Sequence, residues 1–290
     1  MRTLKNFARK TNLGSTAGLL LLVVIWSIPT LGLFITSIRR RSDALVSPWW
    51  EALLNPLGTV WSLEAYRNSL ESGMLDAVFN TFAVTIPSTI LPLMIAANAA
   101  YAFTFLNFKG KEFTFAFLVG LMVVPLQAAL IPVLRTMVDI QRTFDIQLTG
   151  TYASAWLVHS AFAMPLAIYI IRNYMLTIPT SLIEAARIDG ASYFQIFWKL
   201  VLPLSMPAIA SFAIFQFLWV WNDLLVALTF ASGTEEVAPI NSKLASLVGQ
   251  YGSGYTQLSA GAFITIAIPL IVFFSLQRYF VRGLLAGSVK

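Results

Sequence analysis

The chain of 290 residues is 58% hydrophobic and only 11% charged, with a mean hydropathy of +0.75, which leaves too few polar side chains to coat one or two soluble domains. Its net charge of +6 lies in short basic groups between apolar stretches, not in a stripe interleaved with aromatics, and this excludes a nucleic-acid surface. With no cysteine and one histidine, His159, the chain alone can build neither a disulfide framework nor a thiolate or imidazole metal site.

In chain order, stretches long and apolar enough to cross a bilayer fall at about 17-38, 75-105, 113-135, 150-172, 207-230 and 258-280, predicting an all-α integral membrane protein of about six spans in one transmembrane domain. The first run follows Arg2, Lys5, Arg9 and Lys10. It exceeds a signal-peptide core and lacks a small-x-small cleavage site, so it reads as a retained helix. Six spans place both termini on one side, and a cytoplasmic N-terminus puts twelve basic residues inside against seven outside, in line with the positive-inside tendency. Arg39, Arg40 and Arg41 run against it. The loop at 39-74 carries Trp49, Trp50, Trp61 and Tyr66 among polar residues, which predicts either a place at the interface, as a short amphipathic helix, or contact with an external partner. Pro29, Pro87, Pro92, Pro125, Pro132, Pro165 and Pro269 fall inside spans, where each removes a backbone donor and favours a kink.

Between the fourth and fifth spans, the loop at 178-206 is rich in local signals. Pro179 disfavours helix before it, and Ser181 with Glu184 three residues on predicts a capping box opening a helix through Ala185, Ala186 and Arg187. Asp189 and Gly190 close it, Ser192 with Gln195 repeats the box, and the second helix is expected to run to about Leu202 before Pro203 and Pro207 turn the chain toward the fifth span. On these signals alone the hairpin is equally a connector lying in the membrane interface.

Polar groups at membrane depth are expensive and face a bundle interior or a wet cavity. Gln216, Trp219 and Asp223, spaced three and four apart, share a helix face, with Asn222 beside them and Gln127 and His159 in other spans. Amides and carboxylates hydrogen-bond sugar hydroxyls and indole covers an apolar sugar face, so these are substrate-path candidates. They serve equally as glue between helices.

Glu184-Ala185-Ala186, three residues, Gly190, nine residues, then Leu200-x-Leu202-Pro203 resembles the EAA motif of ABC-importer permeases, with leucine at position 200 where the family commonly has isoleucine. VPLQAALIPVL at 124-134, FQFLWVWNDLLVAL at 215-228 and LQRYFVRGLLAGSVK at 276-290 extend the resemblance to maltose-type carbohydrate permeases, nearest to the shorter of the two membrane subunits. The resemblance implies a type I importer permease fold. It also implies a coupling role for Glu184, Ala185, Ala186, Arg187, Asp189, Gly190, Leu202 and Pro203, and a C-terminal tail at 281-290, with Arg282, Gly283, Ala286 and Gly287, reaching the ATPase subunits. The implied partners are a second homologous permease, two ABC ATPases that bind ATP and Mg, an extracytoplasmic solute-binding protein and membrane lipid, in a bacterial inner membrane with both termini cytoplasmic. The implied cargo is a sugar, a di- or oligosaccharide or a glucoside, with substrate contacts mainly on the other permease; glycerol phosphate or another small solute is the alternative. This chain is expected to be non-catalytic and to bind no cofactor, because it has no G-x-x-x-x-G-K-[ST] phosphate loop: Gly110-Lys111 lacks the earlier glycine. An ion-gradient transporter using Asp223 would need inverted repeats and broken helices not evident in the sequence. An enzyme using Asp223 or His159 as base would need a nucleophile or metal beside it.

Overall fold

The computed structural model describes residues 13–231, 236–247 and 254–286, without the side chains of residue 13 and of 278–286. The described residues are helical apart from turns and one isolated bridge, Arg39 to Trp61. Among the described residues, five helices are long and apolar enough to cross a membrane, or six if one bent pair counts as a span. The chain divides into two compact units, 1–73 with 247–264, and 74–246 with 265–290.

In the first unit, α1 (Leu13–Ser37) is exposed through its apolar first part and buried near its end, at Ile35, Thr36 and Ser37. The loop at 39-74 is three short helices, not one amphipathic helix: α2 (Arg41–Val46), α3 (Trp49–Leu54) and α4 (Glu64–Ser69). Gly32 explains how α3 approaches α1, since a Cβ there would lie 2.8 Å from the Trp49 ring. Arg39 is buried, and its guanidinium donates to the carbonyls of Asp43, Ser47 and Pro48 and to the Ser47 hydroxyl. A cation in the loop thus satisfies the carbonyls at the end of α2.

The second unit is built on α5 (Leu75–Phe105), α8 (Tyr152–Met175) and α11 (Leu202–Asn222). Ala96, Ala97, Ala100, Ala163 and Ala167 are all buried in their shared core. Small side chains let helix backbones approach closely, the packing that holds helices together where lipid removes the hydrophobic drive. Trp156 Nε1 donates to the Ala83 carbonyl at 2.8 Å, a polar tie between α8 and α5.

Residues 113-135 are expected as one span. Instead α6 (Lys111–Gly120) and a 3-10 turn (Leu121–Val123) meet α7 (Leu126–Phe144) at a bend of 104°. Pro125 stands at the bend, where it denies its own N–H to the ladder and disfavours helix at Val124, which is extended at φ −69 and ψ 118. Two further departures concern the fifth span. No turn occurs at Pro203 or Pro207: α10 (Tyr193–Ile196) passes straight into α11, and the π turn between them (Phe197–Val201) lies where Pro203 breaks the regular hydrogen-bond ladder. Then α11 stops at Asn222, and a π-helical segment (Ala227–Ala231) follows the break at Asp223.

Candidate functional site

The hairpin between α8 and α11 starts with α9 (Thr180–Ile188). The capping box expected of Ser181 and Glu184 does not form. Pro179, held extended at φ −59 and ψ 129, is the N-cap and no side chain caps the helix, so Ser181 falls inside the first turn. Glu184 is therefore not spent on a cap and stands exposed beside Ala185. The helix closes on a Schellman motif, with Ala191 N–H donating to Ala186 O and Gly190 N–H to Arg187 O, each at 3.0 Å. Gly190 takes φ +82 to do so, a region where a Cβ is strained. The second expected box is present: Ser192 N–H donates to Gln195 Oε1 at 2.8 Å, and Gln195 N–H to Ser192 Oγ at 3.3 Å.

Ile183, with Ala186 packed beside it, mounts α9 on the bundle. Ile183 is 4% exposed and packs in the cluster that holds Ile178, Ile196, Phe197, Val201 and Phe212 of the adjoining segments. Glu184, Ala185 and Arg187 are exposed around it, and the tip is Ile188, 86% exposed. Arg187 lies over the Tyr193 ring at 4.9 Å, while Asp189 and Pro203 are exposed and Leu202 packs against the hairpin cluster. The surface is low and apolar at its centre with charges around it, the composition of a protein-docking patch. Of the expected tail, the backbone of Arg282, Gly283 and Ala286 continues the last helix, α13 (Tyr255–Ala286); Gly287 lies outside the described residues, as do Arg2, Lys5, Arg9 and Lys10.

At the other end of α11 a cavity of about 650 Å³ brings together Gln127, His159, Gln216, Trp219 and Asp223 within a largely apolar lining. The bend contributes a wall, from Leu121 to Gln127. Asn222 lies on an adjoining recess with Trp219 and Asp223, and its amide donates to Leu218 of its own helix at 2.7 Å. Roles differ among the cavity residues. Gln216 is buried and donates to the Ser88 carbonyl of α5 at 3.3 Å, the helix glue that its position equally allows. Trp219 presents an exposed indole. Asp223 Oδ2 accepts from Val226 N–H at 2.8 Å and Ala227 N–H at 3.3 Å, so the carboxylate caps the helical segment that follows the break, with His159 Nε2 at 3.9 Å. Among the described residues, no lysine or arginine lines the cavity.

Sequence patterns did not disclose the bend as a cavity wall, nor Asn241, whose amide grips the break at Asp223 from a separate segment. An asparagine after Pro239 and Ile240 carries no local signal of such a contact.

The family described as "Binding-protein-dependent transport system inner membrane component" matches residues 55–285. The osmoprotective compounds uptake permease protein GgtD of Synechocystis sp. is 52% identical over 94% of this chain and 90% of its own length. The alpha-glucoside transport system permease protein AglG of Rhizobium meliloti is 50% identical over 79% of this chain and 60% of its own. In fold the chain is similar to a chain of a bacterial ABC transporter involved in the import of the acidic polysaccharide alginate, with a TM-score of 0.73 at 22% identity, covering 97% of this chain and 98% of that one. The apolar helices, the hairpin and the family match agree, and the chain belongs to the binding-protein-dependent transport system inner membrane components, the non-catalytic multi-pass permeases of ABC importers.

Proposed function

We propose that this chain forms half of the translocation pathway for a neutral sugar, a glucoside or short oligosaccharide, and passes the motion of cytoplasmic ATPase subunits to that pathway through the hairpin at 178-206. The observation that carries the reading is the mounting of α9: Ile183 sits in the same buried cluster as Ile196, Val201 and Phe212, so a displacement of α9 is a displacement of α11, whose far end lines the cavity. Packed cores transmit strain because they do not deform continuously. Glu184, Ala185, Ala186, Arg187, Asp189 and Gly190 form the docking face, with Leu202 and Pro203 joining it to the span. Arg282, Gly283, Ala286 and Gly287 form a tail toward the ATPases.

Partners on this reading are a second homologous permease supplying the other half of the pathway, two ATPases holding ATP and Mg, and an extracytoplasmic solute-binding protein, in a bacterial inner membrane with both termini cytoplasmic. The names of the relatives support the cargo class, alpha-glucosides for one and osmoprotective compounds for the other. The cavity supports it too: a volume of about 650 Å³ with amides, one carboxylate, an indole and no cation suits a neutral polyhydroxylated solute, whereas a phosphorylated one calls for Arg or Lys.

The test is ATPase activity of the complex purified through this chain in lipid nanodiscs, with and without its binding protein loaded with trehalose, an α-glucoside. Stimulation is expected in the parent complex. Ala185→Trp, which raises a bulky ring on the docking face, is expected to leave membrane insertion intact and abolish the stimulation. Full stimulation in Ala185→Trp would sink the coupling assignment.

A further inference from the structure

Residues 236–246 run beside the end of α11 that lies opposite the hairpin, and polar side chains from several elements hold them. Asn80 of α5 donates from Nδ2 to the carbonyls of Glu236 and Ala238, at 2.9 and 3.2 Å. Tyr152 of α8 donates from its hydroxyl to Asn80 Oδ1, fixing which way that amide points. Thr81 Oγ1 accepts from Ile240 N–H at 2.8 Å, at a fully buried position. These bonds tie the segment, which includes α12 (Ile240–Ser246), to α5 and α8.

One contact of the segment differs in kind from these. Asn241 Nδ2 donates to Trp221 O at 2.8 Å and Asp223 O at 3.3 Å, the carbonyls on either side of the point where α11 ends. The two sides are unequally free. Trp221 is fully buried, stacked on Phe217, edge-on to Phe82, and bonded through Nε1 to Thr265 O at 3.1 Å. Asp223 is the residue at the break, its carboxylate capping the next helical segment while it lines the cavity. A shift of 236–246 therefore acts on Asp223 against a fixed Trp221.

We infer that Asn241 is a positioning residue, a latch through which displacement of the 236–246 segment at the extracytoplasmic face re-aims Asp223 and the cavity wall. The inference rests on the cavity being the substrate path. Its chemistry requires an amide donor: Asn241→Asp places a carboxylate against two carbonyls, and Asn241→Ala leaves the α11 terminus without that partner.

The chain has no cysteine, so Leu225→Cys, on the cavity lining, reports that wall by its rate of maleimide labelling, read on this chain in the nanodisc complex. Addition of the trehalose-loaded binding protein is expected to change the rate severalfold with Asn241 in place. The response should vanish in Asn241→Ala and Asn241→Asp and return in part in Asn241→Gln, a pattern that mere loss of folding would not give. An unaltered response in the Ala and Asp variants overturns the latch. So does an absent response with Asn241 present, and sugar-stimulated ATPase in the same preparation then separates failure of the latch alone from failure of the pathway reading.

Discussion

Gly190 occupies φ +82 with nothing within 4 Å of where a Cβ would stand, so a side chain there meets strain and no clash. Left-handed backbone costs an L-residue roughly 1–2 kcal/mol, least for Asn and Asp and most for β-branched types. Replacement by valine should therefore loosen the end of α9 and reduce sugar-stimulated ATPase severalfold, while Gly190→Asn keeps most of it. Equal activity of the two variants would mean that the turn is not held as the Schellman bonds describe. Gly190 was legible because its spacing within the motif is fixed. Glu184 was legible only in part: the Ser-x-x-Glu pattern fits a cap, but with Pro179 as the N-cap the helix starts two residues early and the carboxylate is freed. Arg39 was not legible at all, since a buried arginine is recognised by the carbonyls that surround it, and these come from residues 43, 47 and 48 folding back on it.

Hydropathy and length identify apolar helices, and α5, α8 and α1 stand close to where those signals fall. Direction is another matter, because a proline announces a lost donor and not the angle that results. Pro87 and Pro92 lie within the continuous α5, and Pro203 lies in the first turn of α11, whereas Pro125 turns the chain by 104°. Tertiary packing decides between these outcomes. Leu130 and Met137 of α7 are buried with Val158, Val226 and Phe230, which holds α7 away from the line of α6. If Pro125 and that packing share the work, Pro125→Ala broadens the bend without straightening it. Spin labels on Phe113→Cys and Ile131→Cys, exposed sites on α6 and α7, would report a wider distance distribution about a similar mean. An unchanged narrow distribution would assign the bend to packing alone.

One helix separates the two ends of the second unit across the membrane. With 24 residues, α8 is about 36 Å long at 1.5 Å per residue, enough to cross the hydrocarbon core of about 30 Å. Its start adjoins the turn after Phe144 and its end leads into the hairpin, so these two places lie on opposite sides. The proposed function requires the hairpin inside, the side that the basic count of twelve against seven favours, and the arginines at 39–41 weigh less against this than their number suggests, since Arg39 is spent on carbonyls within its own unit. Phe144 and Ile188 are both exposed, and in a chain without cysteine a single Phe144→Cys or Ile188→Cys can be labelled cleanly. A membrane-impermeant maleimide applied to right-side-out vesicles should modify Phe144→Cys and leave Ile188→Cys untouched, and inverted vesicles should give the reverse. Labelling of Ile188→Cys from outside would remove the hairpin from reach of any cytoplasmic ATPase, and with it the coupling function assigned to α9.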